Sequence, residues 1–117
     1  MINWASLDLT YVEYSFVKSA RKKYYTKIWF LDGHTKRKIP VYDFSGLDSA
    51  ALTFEHFSKE AGVRSKEAGV RWWVSGVINT VGEQHFLVLQ QFALVENGKT
   101  INPYTMEEGF AEVELVR

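Results

Sequence analysis

The sequence predicts a mainly β protein, a small five-stranded Greek-key barrel with one helix between its third and fourth strands. Three observations carry that reading. Runs rich in Tyr, Val, Ile, Phe and Thr recur between turn-like breaks, the composition of a pleated, half-buried surface. One stretch alone, beginning near residue 47, changes to apolar residues at helical spacing. Two further β-type runs then follow, joined by a short glycine-containing turn. A chain of 117 residues accommodates this as a single domain, residues 1–117, with room for a core.

Residues 7–16 (LDLTYVEYSF) make the first expected strand, which the basic segment VKSARKK interrupts. Residues 24–31 (YYTKIWFL) make the second, closed by the turn pair Asp32-Gly33. The third is residues 38–44 (KIPVYDF), where Pro40 has no N–H to give to a ladder and points to an edge position or a bulge. Asp48 or Ser49 is placed to cap a helix start, and Leu47, Ala51, Phe54, Phe57 and Ala61 line up as one apolar stripe. Residues 72–81 (WWVSGVINTV) and 86–95 (FLVLQQFALV) form a closing hairpin around residues 82–85. Asn97-Gly98 marks another turn, and residues 109–116 (GFAEVELV) are expected to add a short last strand.

This order resembles the OB-fold superfamily in its single-stranded nucleic-acid-binding type: three consecutive antiparallel strands, a helix plugging one end, and a closing hairpin. The resemblance spans residues 7–96 and rests on element order, which other small barrels and an open α+β sheet share. The helix carries a tandem heptad, because SKEAGVR at 58–64 recurs letter for letter at 65–71. Seven residues are nearly two helical turns, so a helix lengthened by a heptad drifts by only about 20°. One copy would read as helix end, glycine cap and strand start. With two copies, either Gly62 lies inside a longer helix that Gly69 caps, or Gly62 caps and the second copy loops out. SKEA is a good helix former, which favours the longer helix. Length changes at a helix–strand junction are cheap, so the repeat is read as tolerated rather than used.

Composition narrows the chemistry. There is no cysteine, which removes disulfides, thiolate metal sites and cysteine nucleophiles. His34, His56 and His85 do not have the spacing of a metal site, no serine sits in a nucleophile elbow, and no glycine-rich loop matches a phosphate cradle. Neither catalysis nor a cofactor is indicated. No uncharged run approaches membrane-spanning length, and the first residues lack the basic and apolar regions of a signal peptide, so the expected compartment is the cytoplasm.

The net charge of zero conceals a split. Lys18, Arg21, Lys22, Lys23, Lys27, Lys36, Arg37 and Lys38 face a single acid, Asp32, within the same span. Alternation on the second strand puts Lys23, Tyr25, Lys27 and Trp29 on one side, and Lys36, Lys38 and Tyr42 are placed to join them across the hairpin. Cations that track phosphates beside flat rings that stack on bases are what single-stranded nucleic acid requires. The OB-fold resemblance implies the same surface, since the second and third strands and the loop after the first form its usual binding face. The expected function is therefore non-catalytic binding of single-stranded DNA or RNA. The lysines and arginines would hold phosphates, and Tyr25, Trp29 and Tyr42 would stack bases. The alternative is a protein-interaction module, an adaptor or inhibitor whose basic face docks an acidic partner. Trp72 and Trp73 are neighbours on one strand, so one of them faces outward, as a stacking platform or as a contact in a homo-oligomer.

Overall fold

The computed structural model describes residues 2–18, 24–64 and 70–106. In chain order these form β1 (Ile2–Lys18), β2 (Tyr24–Asp32), β3 (Lys38–Asp43), α1 (Ser49–Arg64), β4 (Arg71–Val81), β5 (Gln84–Glu96) and β6 (Lys99–Thr105). The sheet order is β3-β2-β1-β4-β5-β6. A parallel pairing of Tyr42 on β3 with Val88 on β5 joins the two ends of the first five strands, so they close into a barrel. The β3–β5 contact is limited to that one pairing, so among the described residues β3 keeps the rest of its outer edge without a strand partner. Among the described residues no helix is long and apolar enough to cross a membrane.

Strand alternation decides what enters the barrel. On β2, Thr26, Ile28 and Phe30 are buried while Tyr25, Lys27 and Trp29 are half-buried on the outside. Trp72 is 1% exposed and faces the core; its neighbour Trp73 faces out, as two adjacent strand residues must. Helix α1 closes one end with Ala50, Ala51 and Phe54, all buried. Its first intrahelical bond runs from the Leu52 N–H to the Asp48 carbonyl, 2.9 Å, which makes Asp48 the N-cap position. Leu47 precedes the helix and is 63% exposed, so it does not belong to the apolar stripe expected of it.

Of the two glycine turns, one departs from expectation. Asp32-Gly33 does not form a two-residue hairpin. The loop runs on to Arg37, whose carbonyl accepts from the Asp32 N–H at 2.9 Å. The Asp32 carboxylate organises it, accepting from the His34 N–H at 3.0 Å and the Thr35 hydroxyl at 3.2 Å. These bonds favour the charged form and hold its pKa below the usual carboxylate value. The left-handed residue is Lys36 (φ 61°), not Gly33. A Cβ on Gly33 would meet only the end of the Asp8 side chain, which can turn aside, while the Gly33 N–H donates to the Asp8 carbonyl at 2.8 Å. Asn97 and Gly98, by contrast, both take positive φ, as a type I′ turn requires, and lead into β6. That sixth strand was not expected; the strand expected at residues 109–116 lies outside the described residues.

The doubled heptad lies on an excursion whose ends meet. Gly62 sits inside α1, which runs to Arg64; Gly69 lies outside the described residues. The Phe57 and Trp72 rings, which bracket the two copies, are 5.7 Å apart. One heptad is ample to link neighbours in contact. Arg71, the last residue of the second copy, pairs with Asp8 at 2.8 Å. Deleting residues 65–71 would bring Arg64 into its place before Trp72, with the same residues preceding it. The deletion variant is expected to fold, with the helical turns over residues 58–64 unwinding to serve as the whole connection, at a cost of about 1–2 kcal/mol that the shorter loop offsets only by about 0.6 kcal/mol. Urea unfolding measures this, and a loss above about 3 kcal/mol would make the repeat structural.

Candidate nucleic-acid interface

Of the residues that the alternation pattern selects, the outer side of β2 and β3 carries Tyr25, Lys27, Trp29, Lys38 and Tyr42. Lys27 is paired with Tyr42, and Trp29 with Pro40, in the antiparallel register. Residues directly opposite share a face, so Tyr25, Lys27 and Trp29 lie with Lys38 and Tyr42. The Lys27 ammonium is 4.6 Å from the centre of the Trp29 ring and 5.7 Å from that of Tyr42. A cation between two rings is held by their quadrupoles at about 0.5–1 kcal/mol for an exposed pair. Its stem is half-buried against the rings, which orients the charge along the face.

Behind these residues lies a second small core, on the outside of the barrel. Phe44, Val77 and Val88 are its buried members, and Tyr25, Tyr42 and Phe86 pack on them. The Tyr42 ring is stacked with Phe44 (6.0 Å, 15°) and meets Phe86 edge-on at 5.2 Å. Tyr25 is 5.4 Å from Phe44 and 6.1 Å from Tyr42. Tyr25 and Tyr42 thus have one side committed to packing, and Trp29 is the ring of the three outside that cluster. Phe44 was within reach of the sequence, two residues beyond Tyr42 on the same alternation. Phe86 was not, because it arrives through the pairing of β3 with β5, far apart in the chain.

The remaining cations divide. Lys36 and Arg37 are exposed on the turn, and Lys38 is exposed at the start of β3, opposite Leu31 and two residues along from the Trp29–Pro40 pair. Arg21, Lys22 and Lys23 lie outside the described residues. Lys18 ends β1 rather than lying in the connector, and its pairing with Tyr24 places it on the reverse side of the sheet. Glu13, which sequence reasoning did not place here, pairs with Trp29 and sets a carboxylate at the β1 border of the face. The surface is therefore basic at its β3 end and mixed toward β1.

Asp43, at the end of β3, points inward and is 1% exposed. One oxygen accepts from the Ser45 N–H at 2.9 Å, while Oδ2 is buried without a hydrogen-bond partner. Burial pushes its pKa above the usual carboxylate value. Its role is to fix the turn that carries the chain from β3 to α1. Among the described residues no group of three or more His, Asp or Glu is placed to hold a metal.

No protein-family model matches the chain, and no curated protein matches it. Its fold is similar to that of mitochondrial single-stranded DNA binding proteins from S. cerevisiae, Rim1, in two crystal forms. One is 16% identical, with a TM-score of 0.53 over 84% of this chain and 97% of that chain. The other is 13% identical, with a TM-score of 0.54 over 82% and 97%. At such identities the likeness is one of architecture, and it agrees with the strand order, the β3–β5 closure and the helix between β3 and β4: the chain is an OB-fold barrel bearing a sixth strand.

Proposed function

We propose that this protein binds single-stranded DNA or RNA, without catalysis, on the outer face of β2 and β3. The observation that carries it is the Lys27 ammonium set between the Trp29 and Tyr42 rings, with Lys38 on the same face. A base stacks on Trp29 while Lys27, Lys36, Arg37 and Lys38 hold the phosphates on either side. Tyr25 and Tyr42, each stacked on Phe44 on one side, have only the other side left for a base. The structural neighbours described as single-stranded DNA binding proteins support the same reading. Arg21, Lys22 and Lys23 extend the positive charge in sequence, and the cytoplasm is the compartment we propose.

Titration with oligo-dT at low salt is expected to quench tryptophan fluorescence through Trp29. Trp29→Ala is expected to weaken binding by about 1–3 kcal/mol with the salt slope unchanged. Changing Arg21, Lys22 and Lys23 together to Ala should lower the slope of log K against log salt by about two, at roughly 0.7 per phosphate contact on a single strand. Absence of both quenching and a mobility shift at tens of micromolar protein would sink the proposal. Retention of an acidic protein in place of oligo-dT would establish the interaction-module alternative.

A further inference from the structure

Beyond the barrel, β1 and β2 continue as a two-stranded arm. The pairing of β2 with β3 stops at Thr26 and Asp43, and that of β1 with β4 stops at Thr10. Val17 and Lys18 are paired only with Tyr25 and Tyr24. Such a ribbon has two sides. One carries Tyr25 and continues the face described above. The other carries Phe16, Lys18 and Tyr24, in line with the inward-facing Thr26 but past the point where the barrel covers them.

That reverse side is built like the first. Phe16 is 44% exposed and Tyr24 46%, and their rings are 4.9 Å apart with a 39° tilt. The Lys18 ammonium lies 6.0 Å from the centre of the Tyr24 ring. Leu47, whose carbonyl accepts from the Thr26 hydroxyl at 3.3 Å, adds an exposed apolar side chain beside Phe16's cross-strand partner. Two large rings in water at an arm tip are a liability unless something flat covers them. The connector between the strands, residues 19–23, contributes Arg21, Lys22 and Lys23 and no acid, so the complementary occupant is anionic as well as flat.

We propose that Phe16, Tyr24 and Lys18 form a second base-stacking site for single-stranded nucleic acid, so that one strand engages both sides of the β1–β2 arm. This rests on the proposed function above and extends it. Phe16 and Tyr24 stack one or two bases, Lys18 takes a phosphate, and the strand passes from one side of the arm to the other. It follows that short oligonucleotides occupy the β2–β3 face alone, and longer ones gain the reverse side.

The test uses oligo-dT of about 5 and about 16 nucleotides, near the limits of site size for one such barrel. The full chain should bind the longer oligonucleotide more tightly than the shorter. Phe16→Ala with Tyr24→Ala should lose about tenfold or more for the longer and stay within about twofold for the shorter, and Lys18→Ala should lower the salt slope only for the longer. Ultraviolet cross-linking of the longer oligonucleotide to the unaltered chain should give adducts at Phe16 or Tyr24, a readout independent of whether the double variant folds. Unchanged affinity at both lengths, equal losses at both, or adducts confined to the Trp29 side would each overturn the second site while leaving the first intact. Failure of the unaltered chain to bind either length would remove both. Preference for a polyglutamate peptide over oligo-dT would make the occupant a protein and overturn the inference.

Discussion

Phe54→Ala is expected to destabilise the protein by about 4 kcal/mol, a large part of the roughly 5–15 kcal/mol that holds a domain of this size together. Phe54 is the aromatic residue of α1 that is fully buried where the helix closes the barrel, with Phe57 packed half-buried beside it. Its ring lies 4.7 Å from Trp72, 4.7 Å from Phe92, 5.0 Å from Phe30 and 6.3 Å from Tyr11. Those partners belong to β4, β5, β2 and β1, each fixed by its own ladder, so they cannot close on the space left behind. The loss thus includes both the transfer of the ring and a cavity that stays open. Phe54→Leu keeps most of the volume and should cost less than about 1.5 kcal/mol. Leu52, on the exposed side of the helix, should tolerate alanine within about 0.5 kcal/mol. Urea unfolding of the three variants distinguishes them. Equal small losses at Phe54 and Leu52 would mean that α1 does not plug the barrel.

This ranking of Phe54 above its neighbours was half visible in the sequence. The stripe Ala51, Phe54 and Phe57 has helical spacing, and any helix packed on a barrel must turn that stripe inward. Leu47 shares the spacing but precedes the cap, so the pattern alone overcounts by one residue at the helix start. The same rule held on β2, where period-two alternation separated Ile28 and Phe30 from Lys27 and Trp29. Local rules failed where the deciding partner was distant. β6 (KTINPYT) carries a proline and few β-branched apolar residues, and it becomes a strand because β5 runs past the closed barrel and offers it an edge. Pro40 fits its strand because β3 meets β5 only at Tyr42. The outer cluster under Tyr25 and Tyr42 needs Val77, Phe86 and Val88, which no spacing within residues 24–44 reveals. That is why the rings read as stacking surfaces now have one side committed to packing.

The barrel's closure depends in turn on a single missing side chain, and Gly76→Ala is expected to cost about 3 kcal/mol. Gly76 follows a bulge in the β4–β5 ladder: Ser75 pairs with Gln91 but Gly76 pairs with Leu89, leaving Gln90 without an opposite residue. The bulge brings the β5 backbone against β4, and a Cβ on Gly76 would fall on the carbonyl oxygen of Val88. A side chain could rotate away from such a contact; a carbonyl in a sheet can move only by breaking its ladder. Val88 is also the residue through which β5 meets Tyr42 of β3, and it pairs with Val77 at the base of the outer cluster. Displacing it therefore strains the closure and loosens the floor beneath Tyr25 and Tyr42 together. Overpacking of this kind costs about 1–3 kcal/mol, and each lost ladder bond about 1 more. Against that stands a gain of about 0.4–1 kcal/mol from a stiffer unfolded chain, too small to reverse the sign. Gly46→Ala is the comparison. Its left-handed φ of 82° penalises any Cβ, but no atom lies within 4 Å to clash, so about 1–2 kcal/mol is the expected loss. Thermal unfolding of the two variants should rank Gly76→Ala below Gly46→Ala, and only Gly76→Ala should also weaken oligo-dT binding, through the loosened floor. The reverse ranking would mean that β5 yields at the bulge, and that the pairing of Tyr42 with Val88 is not what holds the barrel shut.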